Sequence, residues 1–202
     1  VWEATNGVDD SFIVNQAWIA GTVGKTTAKV GRMELDTPLV FSEKWSIVAN
    51  TFEAAVLINQ DIPDTTLVGA YVGGSNGAHN TTDNGGTGGG LGNIIDSVNA
   101  NGTTTFSQFH RGAYAVGAIN NSFKPLTVQA WYFQASHVLD AAYWLQADLN
   151  IEGMIAGVQY SDMDLGGLGK KSNDIVAAKL GYSMKDMVTA TVAYSQVGKT
   201  TT

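Results

Sequence analysis

The feature that most constrains this chain is an alternation of apolar and polar side chains with a period of two, held over runs of about ten residues. From Asp140 to Leu149, one set reads Ala141, Tyr143, Leu145, Ala147 and Leu149. The other reads Asp140, Ala142, Trp144, Gln146 and Asp148. Successive side chains of a strand point to opposite faces, so this segment has one apolar face and one wet face. Val176, Ala178, Leu180 and Tyr182 alternate likewise with Ala177, Lys179, Gly181 and Ser183. Val188 to Ser195, Phe52 to Asn59 and Leu126 to Phe133 repeat the theme. About ten such segments can be counted, near 12–23, 26–34, 51–61, 65–73, 111–120, 125–135, 140–149, 154–162, 174–184 and 187–197. They are longer than the usual strand of roughly 5–6 residues and suit tilted strands that cross a bilayer.

The connections between these segments alternate in length. Gly24-Lys25, Pro63-Asp64, Asn120-Asn121-Ser122, Asn150 to Gly153 and Lys185-Asp186 are short, whereas 35–50, 74–110 and 163–173 are long. Membrane barrels have short turns at one rim and long loops at the other, which is this pattern. The link near Ser136 to Leu139 is short where a long one is due. Gly73 to Gly102, with Gly85-Gly86-Thr87-Gly88-Gly89-Gly90 at its centre, is low in complexity and cannot bury a core. It is expected to lie in a long Gly-rich external loop spanning 73–110.

Composition narrows the function. Charged residues make up 14% of the chain, against roughly 25% in a typical soluble domain. The formal net charge is −7, so nothing here neutralises phosphates and nucleic acid is not an expected partner. No apolar run approaches the roughly 20 residues of a membrane helix, which says nothing about membrane strands. There is no cysteine, and His79, His110 and His137 share no metal-ligand spacing. Val23-Gly24-Lys25-Thr26 ends like a phosphate-binding loop, but Ile19 stands where that motif needs glycine; it reads as a hairpin turn. Asp162-Met163-Asp164 lacks the rest of a calcium-binding loop. Neither enzymatic activity nor a cofactor is expected.

Two stretches carry a family likeness. Ala28 to Trp45 (AKVGRMELDTPLVFSEKW), followed by Asn50 to Gly73 (NTFEAAVLINQDIPDTTLVGAYVG), resembles the OprD-type outer-membrane porins, and most closely their relatives in epsilon-proteobacteria. Pro125 to Asp164 (PLTVQAWYFQASHVLDAAYWLQADLNIEGMIAGVQYSDMD) is similar to strand–loop–strand units of the major porins of the same bacteria. The resemblance implies an all-β fold, a transmembrane antiparallel up-and-down β-barrel, with the whole chain, 1–202, as one barrel segment. About ten strands against the roughly 16–18 of such porins, and an end at Thr200-Thr201-Thr202 rather than at an aromatic residue, suggest a partial chain with strands missing at both ends.

The resemblance further implies that 35–49 is an inward-folded constriction loop. Arg32, Glu34, Asp36, Glu43, Lys44 and Glu53 would then stand near the narrowest part of the pore. Leu39, Val40, Phe41, Trp45, Ile47 and Val48 give that loop apolar residues that need burial. The wet strand faces supply Lys29, Trp144, Gln146, Asp148 and Lys179 as lumen-lining residues. The expected function is a Gram-negative outer-membrane porin passing ions and small polar solutes, embedded in outer-membrane lipid as a homotrimer. Arg32 and Arg111 are the only arginines, so the basic ladder used by relatives that take up amino acids and carboxylates is not evident. The alternative is a soluble or surface-attached β-sandwich for binding or adhesion. That fold would share the period of two but would bury its apolar face. An outer-membrane barrel enzyme and a purely structural barrel are further alternatives.

Overall fold

The structure, a computed structural model, describes residues 14–42, 44, 49–75, 95–96, 107–135, 139–165, 173–184 and 187–198. Among the described residues there are eleven strands: β1 (Ala17–Val23), β2 (Thr26–Met33), β3 (Phe52–Asn59), β4 (Thr65–Ser75), β5 (Ile95–Asp96), β6 (Ser107–Asn120), β7 (Leu126–Ala135), β8 (Leu139–Ile151), β9 (Met154–Asp164), β10 (Asn173–Met184) and β11 (Val188–Val197). They form one sheet in the order β1-β2-β3-β4-β6-β7-β8-β9-β10-β11, with β5 pairing only β6. All pairings are antiparallel, and apart from the small β5 each strand pairs with its neighbour in sequence. The up-and-down arrangement follows from the short turns, which leave a strand nowhere to go but alongside its predecessor. Positive φ at Gly24, Asp64, Glu152 and Gly153 makes three of those turns tight.

The expected long loop differs in its bounds. β4 runs to Ser75 and β6 starts at Ser107, and Ile95-Asp96 adds a short strand inside the Gly-rich stretch. The strands therefore extend beyond the part with strict alternation, because backbone pairing does not depend on which side chains alternate. The rest of that stretch, and 45–48, lie outside the described residues.

Side-chain exposure excludes the sandwich. The apolar set is the exposed one: Leu57, Val116, Leu145, Val158, Val176, Leu180 and Val192 all stand open, Val116 at 58% and Leu180 at 62%. The burial is instead on the other face, where two clusters lie: Met33, Phe52, Ala54 and Val72, and Ala115, Trp131, Phe133 and Ala142. A soluble fold places these the other way round, and an apolar sheet face this extensive requires an apolar solvent.

Tyrosines give the sheet a level. On the apolar face Tyr71 lies opposite Tyr114, and their ring centroids are 5.2 Å apart. Tyr132 lies opposite Val116, two residues further toward the short-turn rim, and beside Tyr143 with centroids 5.4 Å apart. Tyr160 lies opposite Leu145 and Val176, two residues further again, and Tyr194 opposite Ala178 makes a third step of two. The row thus slips six residues over the six steps from β4 to β11. With a rise of about 3.3 Å per residue and strands about 4.8 Å apart, a slip of one residue per strand corresponds to a tilt of about 35°. That tilt is the one needed to close a sheet into a barrel. In a barrel so tilted the six tyrosines stand at one height, as an interfacial aromatic girdle does. Nine residues separate Tyr143 from the turn at Glu152, a vertical distance of about 24 Å at this tilt, close to the roughly 25 Å apolar band of an outer-membrane barrel.

Leu180 lies midway between this girdle and the short-turn rim. Leu180→Arg should destabilise the protein folded in liposomes by about 2–4 kcal/mol, and Ala177→Arg on the opposite face should cost much less. Reversible denaturant unfolding in liposomes measures both, and equal losses would contradict the assignment of faces.

Candidate functional site

The segment from Leu35 to Ser42 is a small hairpin. Asp36 bridges to Phe41, Ser42 N donates to Leu35 O at 2.8 Å, and Thr37 N donates to Val40 O at 3.0 Å. The Thr37 hydroxyl closes the tip, donating to Val40 O at 2.7 Å and accepting from Val40 N at 3.1 Å. Pro38 at the tip narrows the backbone freedom further.

This hairpin lies on the wet face. Leu35 and Val40 pack on Met33, Phe52, Ala54 and Val72 of β2–β4. Leu39 and Val40 pack on the cluster of Ala115, Trp131, Phe133 and Ala142 from β6–β8. The loop joining β2 to β3 therefore reaches across the sheet, past β4, to the cluster that β6–β8 form. Gly117 makes room for this packing: any Cβ there would collide with the indole of Trp131, its partner across the ladder. Where the chain returns, the buried Thr51 donates to Asn15 O at 2.9 Å, and Asn15 Nδ2 donates to Ala49 O at 3.0 Å.

The charged residues separate into two groups. Glu34 takes an ion pair from Lys44 at 3.2 Å and a hydrogen bond from Gln16 Nε2 at 2.9 Å. Asp36 is exposed on the hairpin. Glu43 lies outside the described residues. Arg32 and Glu53 correct the expectation: they bind each other (Nε and Nη2 to Oε1, 3.1 and 3.0 Å) but not on the loop's face. They are opposite one another and alternate with Met33 and Phe52, which the loop covers, so they belong with Val30 and Ala55 on the apolar face. Continuing the tyrosine row from β4 by one more step of two leads to these positions. The pair thus takes the girdle's place on β2 and β3, where a charge costs only about 0–1 kcal/mol. Proximity in sequence to the loop could not reveal this; counting parity through Met33 could.

The five residues expected on the wet face all lie there. Lys29 sets its ammonium 3.9 Å from the ring centroid of Trp18. Trp144 Nε1 donates to Gln146 Oε1 at 3.0 Å, Gln146 Nε2 donates to Asp148, and Lys179 Nζ stands 2.7 Å from Asp148 Oδ1. Asp148 and Lys179 are two strands apart with Gly157 between them. A Cβ on Gly157 would come within 2.6 Å of Lys179 Cε and 2.8 Å of Asp148 Oδ1, so the ion pair forms over this glycine. Sequence reading missed Gly157, although a glycine in an alternating strand is the usual sign of such a close approach.

No family model and no curated protein matches the sequence. Solved structures do match its fold. Pseudomonas aeruginosa OccK3 (OpdO) aligns with a TM-score of 0.67 at 14% identity, over 87% of this chain and 45% of that one. P. aeruginosa OccK8 (OprE) gives 0.66 at 18%, over 88% and 48%. Acinetobacter baumannii OccAB3 gives 0.66 at 13%, over 89% and 44%. These are OprD/Occ-family outer-membrane porins, and the fold of this chain is that of part of their barrel. The chain spans just under half the length of the structures it matches.

The Lys179–Asp148 pair is partly exposed, so a double-mutant cycle with Lys179→Met and Asp148→Asn should give a coupling below about 1 kcal/mol. The coupling should vanish in a Gly157→Val background. Unfolding of the protein in liposomes measures it, and a coupling that survives Gly157→Val would contradict the role of the glycine.

Proposed function

We propose that this chain is part of the wall and the constriction of an outer-membrane porin, a water-filled channel for passive diffusion of ions and small polar solutes. The observation that carries this reading is the loop between β2 and β3. Its apolar residues, Leu35, Leu39 and Val40, are spent on the wet face of the sheet, where a solute path would run. A loop held there narrows the lumen and brings its charges to the narrowest point, which is how a wide barrel becomes selective. The sheet then serves as one arc of a barrel closed by further strands, with its apolar face and tyrosine girdle in outer-membrane lipid. In this reading the rim with the short turns is periplasmic and the Gly-rich loop external. The elements Thr37-Pro38-Leu39-Val40-Phe41 and Asn50-Thr51-Phe52 support a likeness to porins of epsilon-proteobacteria, and a homotrimer is the assembly proposed. Passive diffusion needs no catalytic group.

Glu34, Asp36 and Lys44 would form the constriction, and Glu43, by its position in the sequence, would belong to the same set. Carboxylates outnumber amines, so a modest preference for cations follows. Asp36→Asn combined with Glu43→Gln should lower the cation-to-anion permeability ratio of single channels in planar bilayers. Leu39→Ser with Val40→Ser should loosen the loop and give larger, noisier conductances. Channels unchanged in both respects would remove the loop from the solute path.

A further inference from the structure

We infer that the constriction favours organic ammonium ions that carry an apolar or aromatic group and no carboxylate, and that Asp36 and Phe41 recognise them. This inference rests on the porin reading and refines it. Asp36 and Phe41 face each other in the hairpin, flanked by the hydrogen bonds Ser42 N to Leu35 O and Thr37 N to Val40 O. They therefore form a non-hydrogen-bonded pair, the kind in which Cα atoms are about 4.5 Å apart and side chains are closest. Leu35 and Val40 turn to the wall, so alternation turns Asp36 and Phe41 away from it. Both are exposed, Phe41 at 49%. An exposed phenylalanine is an odd choice on a loop whose other described apolar side chains are used for packing. Beside a carboxylate, a ring face offers an alkylammonium or arylammonium ion two complementary contacts, a charge and a π surface.

The surrounding charges point the same way. Of the described lysines, Lys44 of the loop is paired with Glu34, and Lys179 on the wet face with Asp148. Lys29 rests on Trp18, four residues from Met33 along β2, or about 13 Å from the loop's anchor and beyond a Debye length at physiological salt. Asp36 makes no ion pair with any described residue. A solute carboxylate would meet amines already paired and two carboxylates, Asp36 and Asp140 of the wet face, that make no ion pair with any described residue. An ammonium ion meets the reverse.

The test is block of KCl current through single channels in planar bilayers by benzylammonium, with benzoate and benzyl alcohol as controls, using the protein extracted from outer membranes. Benzylammonium should reduce the current in a concentration-dependent way, and the controls should have little effect. The half-blocking concentration should rise about threefold in Phe41→Leu and at least about fivefold in Asp36→Asn, with wild-type heat-modifiable migration of both variants on gels as the sign of intact folding. Equal effects of benzylammonium and benzoate, or wild-type block in both variants, would overturn the inference while leaving a working pore. Absence of any channel would defeat the porin reading and this inference with it.

Discussion

The structure depends on one constraint: the backbone of a sheet whose face meets hydrocarbon must satisfy every N–H and C=O on a neighbouring strand. Ten strands paired in sequence order meet it everywhere but along the outer edges of β1 and β11, which have no partner among the described residues. The tilt follows, because only a sheer stagger lets such a sheet curve toward closure. With the tilt comes the drift of the tyrosine row by one residue per strand. Residues far apart in the ladder, Tyr71 and Tyr194, are thereby brought to one height. The apolar face can then be uniform over about 24 Å and carry its only described ion pair, Arg32–Glu53, at the girdle.

The opposite face has another problem. It carries the polar set together with two apolar clusters that would otherwise lie open. The β2–β3 loop covers them with three apolar side chains, Leu35, Leu39 and Val40. Their burial fixes the hairpin, and hydrogen bonds through Thr37 fix its tip. What is left to face away from the wall, Asp36 and Phe41, is held by the parts that face it. Glycines assist from below: Gly117 admits the indole of Trp131, and Gly157 admits the Lys179–Asp148 pair.

Much of this was legible in the chain. The period of two announced the strands, the alternation of short and long links gave their order, and Leu39 and Val40 in the loop required a surface to cover. Lys29, Trp144, Gln146, Asp148 and Lys179 were assigned to the wet face by parity alone, since a strand leaves no choice once its apolar set is known. Parity through Met33 would also have moved Arg32 and Glu53 to the other face, had the strand been counted to its end. Phe41 was expected to be buried with its apolar neighbours; its pairing with Asp36 on the side of the hairpin away from the wall leaves it exposed.

The sequence by itself determined the order of the strands, the apolar solvent and the faces of most strands, because a repeat of two is read locally and survives any curvature of the sheet; β3 is the exception, since its more apolar set, Phe52, Ala54, Val56 and Ile58, lies on the wet face and Leu57 on the other. Tertiary structure alone decided how far each strand slips against the next, and therefore which tyrosines share a level. It also decided that the loop reaches the cluster on β6–β8 and that Asp148 meets Lys179 across Gly157. These are relations between residues distant along the chain, set by register and by three-dimensional packing. No local pattern encodes a register: it emerges only when whole strands are aligned and every backbone group has found its partner.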